Sequence, residues 1–237
     1  DEERIVREIV KIIEEAVKEL VRLVREDIEL VKDVVRRHNR LNEEIVKLWK
    51  ELVDEVLKSR DAEELRRILE RIKRLHEENS RRLKEVVERW VKLLKESLEK
   101  LEDVARKARE KLKTVLDKPR GEELIKDLAR VVEEVLRLLE EVIKTHAEIN
   151  KRALELLKEV SKHAADIVRE ALKLAAEVVD DKDLLRRAEE EIRRLLKENE
   201  DILKRVEEEV KKSNEELRRI LDRVRRELEK ALKRLRD

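Results

Sequence analysis

The sequence contains no cysteine, which excludes disulfides, thiolate metal sites and cysteine nucleophiles. Phe, Tyr and Met are also absent, and the 237 residues include one Gly and one Pro. Average domains contain roughly 7% Gly and 5% Pro, so this chain has few positions that can end a helix. No apolar run approaches the roughly 20 residues that span a bilayer, which predicts that a membrane is not a partner.

An excess of charge of either sign is missing as well. The 62 Lys and Arg residues oppose 61 Asp and Glu residues, which leaves a formal net charge of +1. A protein that binds nucleic acid usually has an excess of basic residues on one face. Here Lys, Arg and Glu alternate along every segment. This pattern predicts a solvated surface with ion pairs four residues apart, and no nucleic-acid partner.

What is present is helix-forming sequence. Charged residues make up 52% of the chain and hydrophobic residues 40%, almost all of them Leu, Val, Ile and Ala. This composition is typical of coiled coils and long helices. The helical pattern is interrupted only at residues 58–61, 117–121 and 180–183. The segments between predict four helices, at about residues 2–58, 62–116, 122–179 and 183–236.

Each interruption has the chemistry of a turn or a helix cap. Asp61 begins an Asp version of the capping box at the start of the second helix. Pro119 and Gly121 cannot comfortably continue a helix. Asp181 or Asp183 can cap the last helix. Because the loops are short and the helices are of similar length, neighbouring helices are expected to be antiparallel.

We therefore predict an all-α fold, in which residues 1–237 form a single up-down-up-down four-helix bundle. Two chains that pair as open hairpins are the alternative assembly. Seven-residue repeats predict left-handed coiled-coil-like packing. The repeats comprise Val17, Val24, Val31, His38, Ile45 and Leu52, then Val35, Asn42, Trp49 and Val56, and in the last helix Leu185, Ile192, Asn199, Val206 and Ser213.

Polar residues interrupt these apolar repeats at His38 and Asn42, within the stretch RRHNRLNEE. In an antiparallel bundle, the numbers of residues at one height in neighbouring helices have a constant sum. Residues 38–42 are then level with about 77–81, 157–162 and 197–201 in the other helices. Every helix supplies a polar side chain at this height. The predicted upper layer consists of His38, Asn42, His76, Asn79, Ser80, Ser161, His163 and Asn199.

A second polar layer is expected about two heptads lower. It consists of Asp27, Trp90, Thr145, His146, Asn150, Ser213 and Asn214. Asn39 and Asn214 are expected at the rim of the core, and Ser97 is an outlier of this layer. A buried amide or imidazole is costly without a partner, but the groups of one layer can satisfy one another. Any other register would leave these groups unpaired, so the layers are predicted to fix register and topology.

The layered His, Asn and Ser residues occur together with the loops KSRDAEE, LDKPRGEE and VDDKDLL and a Lys/Arg/Glu surface. Over its whole length the chain resembles computationally designed helical bundles that carry buried hydrogen-bond networks. It is similar to the class used as designed heterodimers, single-chain cages and switches. This resemblance implies a structural scaffold without a natural biochemical activity. The alternative is an interaction or switch module that exchanges a helix or oligomerises.

Histidines at one height raise the hypothesis of a metal site, because zinc is held by four ligands that often include His. Dimetal bundles with bridging carboxylates carry the motif Glu-x-x-His. In this chain the positions three residues before the four histidines are occupied by Val35, Lys73, Ile143 and Val160. Asn and Ser are poor zinc ligands but good members of a hydrogen-bond network. We therefore predict no metal and no cofactor.

The buried polar residues raise two other hypotheses, catalysis and a response to pH. Asp27, His146 and Ser213 are the residue types of a hydrolase triad, but they are expected in the middle of a narrow core without a cleft. We therefore predict that the chain is not an enzyme.

A neutral network histidine would have a lowered pKa, which makes a pH-responsive module part of the alternative function. We expect a monomer, with self-association or a designed helical partner as the alternatives.

Overall fold

The computed structural model describes residues 2–57, 63–119 and 121–237. Nearly all of these residues lie in four helices, and none of them lies in a strand. The helices are α1 (Glu2–Leu57), α2 (Glu63–Leu116), α3 (Glu122–Val178) and α4 (Lys182–Arg236). The predicted all-α class and the four helices are confirmed, and each observed helix end lies at the predicted residue or next to it. The predicted cap at Asp61 lies outside the described residues.

Two of the helix starts show why the helices begin where they do. Gly121 has a φ of 147°, a backbone conformation that residues with a Cβ rarely adopt. Asp181 accepts hydrogen bonds of 3.1 Å at Oδ1 from the backbone N–H groups of Asp183 and Leu184. Asp181, and not Asp183, is therefore the N-cap of α4.

The chain divides into two compact units, and each contains a segment of all four helices. The first unit comprises the chain up to Glu29, Val91–Lys151 and Glu209–Asp237. The second unit comprises Leu30–Trp90 and Arg152–Glu208. The two units are described separately below. That residues 1–237 form a single domain stays a prediction.

In the first unit, contacts between side chains define the direction of the helices. The pairs Glu8–Arg234, Glu19–Arg223 and Asp27–Ser213 join α1 to α4. The residue numbers rise along α1 as they fall along α4, so these two helices are antiparallel. Two ion pairs, Lys111–Glu134 and Lys118–Asp127, give the same opposite order for the end of α2 and the start of α3.

In the second unit, Lys158 pairs with Glu207 and Ser161 with Asn199, so α3 and α4 are antiparallel there too. A hydrophobic cluster of this unit consists of aliphatic side chains and the fully buried indole of Trp49. Both units thus show the bundle packing that was predicted from the apolar repeats. The left-handed supercoil stays a prediction. None of the helices, as far as the structure describes them, has an apolar stretch long enough to cross a membrane.

Candidate functional site

A buried polar network lies in the first unit and joins three helices. Asp27 of α1 accepts two hydrogen bonds at Oδ2, one from His146 Nε2 of α3 and one from Ser213 Oγ of α4, both of 2.8 Å. All three residues are buried. They face one another because each lies on the apolar stripe of its helix, where Leu or Val would otherwise stand. The hydrogen bonds satisfy a carboxylate that would otherwise be very costly to bury.

The order of these three residues differs from that of a hydrolase. In a catalytic triad the imidazole lies between the serine and the carboxylate and takes the proton of the serine. Here the carboxylate lies in the middle, and Ser213 donates to Asp27. Among the described residues His146 Nδ1 has no hydrogen-bond partner. The geometry therefore joins three helices through one carboxylate and differs from the order of groups in a triad.

The other residues of the predicted lower layer have different surroundings. Asn150 of α3 donates from Nδ2 to Asn214 Oδ1 of α4 at 3.0 Å. Ser97 donates to the carbonyl oxygen of Leu93, in the preceding turn of its own helix. Thr145 is exposed, so its predicted burial is wrong. A side chain turns by about 100° per residue in a helix, so the neighbour of buried His146 points away from the core.

A second network lies in the second unit and again joins α1, α3 and α4. His38 Nδ1 lies 2.5 Å from Asn199 Oδ1, and because an amide oxygen only accepts, the proton is on Nδ1. Asn199 in turn donates from Nδ2 to Ser161 Oγ at 3.1 Å. The three residues are buried. His38, Ser161 and Asn199 therefore lie together, as residues of the predicted upper layer.

Two α2 residues of this layer, His76 and Asn79, are buried but do not join the network. Considering only the part of the chain that the structure describes, both ring nitrogens of His76 and both amide atoms of Asn79 lack a hydrogen-bond partner. The same holds for His38 Nε2, Asn42 Nδ2 and the indole nitrogen of Trp49. Four of these five residues were predicted from the sequence to be polar and buried, but it was not predicted that each would have an unpaired atom or that Trp49 would belong with them.

Burial changes the proton affinity of both histidines in this group. It lowers the pKa of His38, and the hydrogen bond to Asn199 raises that pKa by a smaller amount. Burial and, to a smaller extent, the electrostatic effect of His38 lower the pKa of His76 to about 4. The two imidazoles are therefore neutral at pH 7 and close enough to interact electrostatically.

A surface cleft between α1 and α2 reaches two of the unpaired side chains. It has a volume of about 790 Å³, and Asn42 and His76 form part of its wall. Half-buried Ser80 lines the same cleft, together with Glu43 and Glu77. Sequence reasoning expected a closed core at this height and did not predict the cleft. The clustering of Asn42, His76 and Ser80 was the signal that could have indicated it.

Two further residues of the predicted layers are placed differently from the other members. His163 is exposed, so its predicted burial in the upper layer is wrong. It is two residues after buried Ser161, which places it on the opposite side of α3. Trp90 is buried, but it belongs to the second unit, whereas Asp27, His146 and Ser213 belong to the first.

Within the described ranges, no cluster of three or more His, Asp or Glu side chains is arranged to hold a metal ion. No protein-family model matches this chain, and no curated protein matches it. The candidate site is thus defined by its geometry alone. It consists of two hydrogen-bonded networks and, in the second unit, a group of unpaired polar side chains beside a cleft.

Proposed function

We propose that this chain is a computationally designed helical scaffold, without catalytic activity, whose buried networks specify how its helices pair. One observation carries the proposal: in each unit, a network of three hydrogen-bonded side chains joins α1, α3 and α4. If α3 or α4 shifted by one residue, Asp27 and Asn199 would be buried without partners. The idealised loops and the composition support a designed origin.

The physical role of such a network is specificity more than stability. A core of Leu, Ile and Val alone permits several registers of similar energy. Replacing a buried polar cluster by apolar residues of similar volume is often neutral or stabilises a protein. A network is therefore useful because alternative pairings are penalised, and a scaffold needs one arrangement of its helices.

The test replaces all three members of the first-unit network in the variant Asp27→Leu/His146→Leu/Ser213→Ala. We expect this variant to remain helical and to unfold at the same or a higher denaturant concentration than the parent. We also expect it to lose its single arrangement, which would appear as several masses in light scattering and as multiplied amide signals in NMR spectra. The parent should give one monomer mass at pH 7.4 and should not exchange α4 with a labelled peptide of residues 182–236.

The outcomes discriminate between the candidate functions. A triple variant with one mass and one set of amide signals would show that the network is not needed for pairing. A parent that dimerises or takes up the labelled peptide would replace the scaffold by the interaction module predicted as the alternative. Idealised designs are typically very stable, so a midpoint of thermal unfolding below about 65 °C would count against a designed origin.

A further inference from the structure

Unpaired polar side chains of the second unit come from both α1 and α2, and two of them lie beside a cleft. Asn42 and His76 are 5% and 3% exposed, and both form part of the wall of the cleft between α1 and α2. Buried polar atoms of native proteins almost always have a partner. Here a group that reaches them through the cleft could supply one. The atoms that could act as ligands are imidazole nitrogens and amide oxygens, and no buried carboxylate is among them.

His38 has the arrangement that is common in histidines bound to metals. Such a histidine usually donates one ring N–H to a protein oxygen, which fixes the tautomer and directs the other nitrogen at the metal. His38 donates from Nδ1 to Asn199, and Asn199 is itself held by Ser161. Nε2 of His38 is left as a buried lone pair and, among the described residues, has no partner.

His76 supplies the second imidazole from the facing helix. Either of its ring nitrogens is available, because neither has a partner within the described part of the chain. Asn79 is three residues further along α2, so it lies on the same face, and its amide oxygen is unpaired too. Asn42 has the same relation to His38 on α1, four residues further on.

We propose that His38 and His76 bind one first-row transition-metal ion, Cu²⁺ most tightly, with an amide oxygen and water as the remaining ligands. Imidazole is a good ligand for Cu²⁺, Ni²⁺ and Zn²⁺, and in one site of N and O ligands Cu²⁺ usually binds most tightly. The charged side chains that line the cleft are Glu43 and Glu77 together with Lys73, Arg81 and Lys84, so the affinity for a cation has to come from the imidazoles and not from the charge of the cleft. The sequence predicted no metal, because it expected these side chains to bond to one another. The inference is independent of the proposed scaffold function.

The experiment is a Cu²⁺ titration of the full chain in a buffer that does not bind metals, followed by calorimetry and electron paramagnetic resonance. We expect one ion per chain and a spectrum with two imidazole nitrogens. His38→Leu and His76→Leu should weaken binding at least as much as loss of a supporting residue does, by about 10–100-fold. His163→Ala removes an exposed histidine of the same unit and should leave binding unchanged.

Folding of the variants does not limit the test. Leu is close to His in volume, and in His76→Leu it removes two unpaired nitrogens, so this variant should fold at least as stably as the parent. Helicity by circular dichroism checks this. Bound Cu²⁺ should raise the midpoint of thermal unfolding of the parent and of His163→Ala, but not that of His76→Leu. Parent-like Cu²⁺ affinity in His76→Leu, or an equal loss in His163→Ala, would overturn the proposal.

The supporting role of Asn199 has its own readout. Asn199→Leu leaves both imidazoles in place but frees the ring of His38, so Cu²⁺ binding should weaken by about 10–100-fold. The resonance spectrum should still show two imidazole nitrogens at saturating Cu²⁺. Unchanged affinity in a folded Asn199→Leu variant would contradict the assignment of His38 Nε2 as a ligand that Asn199 orients.

Discussion

His146 donates a hydrogen bond of 2.8 Å from Nε2 to Oδ2 of Asp27, and the two side chains are 1% and 5% exposed. They belong to α3 and α1, so the bond joins two helices that are far apart in sequence. Ser213 donates to the same carboxylate oxygen. One buried carboxylate therefore satisfies two donors, and its removal leaves both of them without an acceptor.

The first prediction is that Asp27→Ala destabilises the protein by about 2–5 kcal/mol, since each buried donor left without an acceptor costs about 1–3 kcal/mol. The reason is that the donors of His146 and Ser213 stay buried without an acceptor. The measurement is the free energy of unfolding from a guanidinium titration at pH 7.4.

Asp222→Ala is the matched control for this variant, because Asp222 is an exposed aspartate of the same unit. It should change the free energy of unfolding by no more than about 0.5 kcal/mol. If the two variants had the same stability, the buried hydrogen bonds of Asp27 would contribute nothing to folding.

The second prediction concerns stability against pH, measured with a chelator present. The pKa of His76 is about 4 in the folded protein and 6.5 in the unfolded chain. The unfolded chain therefore binds more protons in this window, and its population is favoured as the pH falls from 6.5 towards 4. His76 should reduce the free energy of unfolding by about 2 kcal/mol at pH 5 relative to pH 7.4. His38, whose pKa is also lowered, acts in the same direction.

The choice of pH 5 separates the histidines from surface carboxylates. Hydrogen bonds from Lys107, Lys118 and Lys111 lower the pKa of Asp103, Asp127 and Glu134, respectively. Those groups lose their contribution only below their unfolded pKa values, at about pH 4. His76→Leu should therefore show a much smaller loss between pH 7.4 and 5 than the parent, and His163→Ala the same loss as the parent. An equal loss in the parent and in His76→Leu would assign the acid sensitivity to other groups.

The third prediction is that Asp181→Ala destabilises the start of α4 by about 1 kcal/mol. Its carboxylate accepts the N–H groups of Asp183 and Leu184, which have no helical partner in the first turn. Hydrogen exchange of these two amides should speed up. Asp181→Asn keeps the accepting oxygen and should exchange nearly as slowly as the parent. Fast exchange in Asp181→Asn and slow exchange in Asp181→Ala would contradict the cap.

The helix ends could be predicted because they depend on local chemistry. Pro119, Gly121 and Asp181 act within one turn of their own position, and the observed ends of α2, α3 and α4 follow from them. The direction of the helices also followed from the sequence, since short loops between long helices permit few alternatives. Ion pairs such as Glu8–Arg234 report the same direction.

The sequence predicted the level of each polar layer along the bundle. It did not always predict on which side of its helix a polar residue lies. The constant-sum rule places Thr145 and His163 at the right level, but it does not include the rotation of each side chain about the helix axis. Their neighbours His146 and Ser161 lie on the apolar repeat and are buried. If only polar residues on the apolar repeat had been assigned to the layers, Thr145 and His163 would have been left out of them.

The pairing within the layers could not be predicted. Asn42 and Asn79 were expected to satisfy their neighbours, but whether two buried groups bond depends on rotamers and on a fraction of an ångström. The sequence specifies neither the rotamers nor the distances between the buried groups. For the same reason it did not predict that a cleft reaches His76.

The ion pair between Glu8 and Arg234, with a distance of 2.8 Å, has a consequence for engineering. It brings the first turns of α1 and the last turns of α4 side by side in the first unit. A short peptide could join the two ends at little cost in loop entropy. New termini could then be opened in the exposed turn at residues 117–119. A circularly permuted chain made in this way should keep the same helix neighbours, because those neighbours depend on side-chain contacts and not on the order of synthesis.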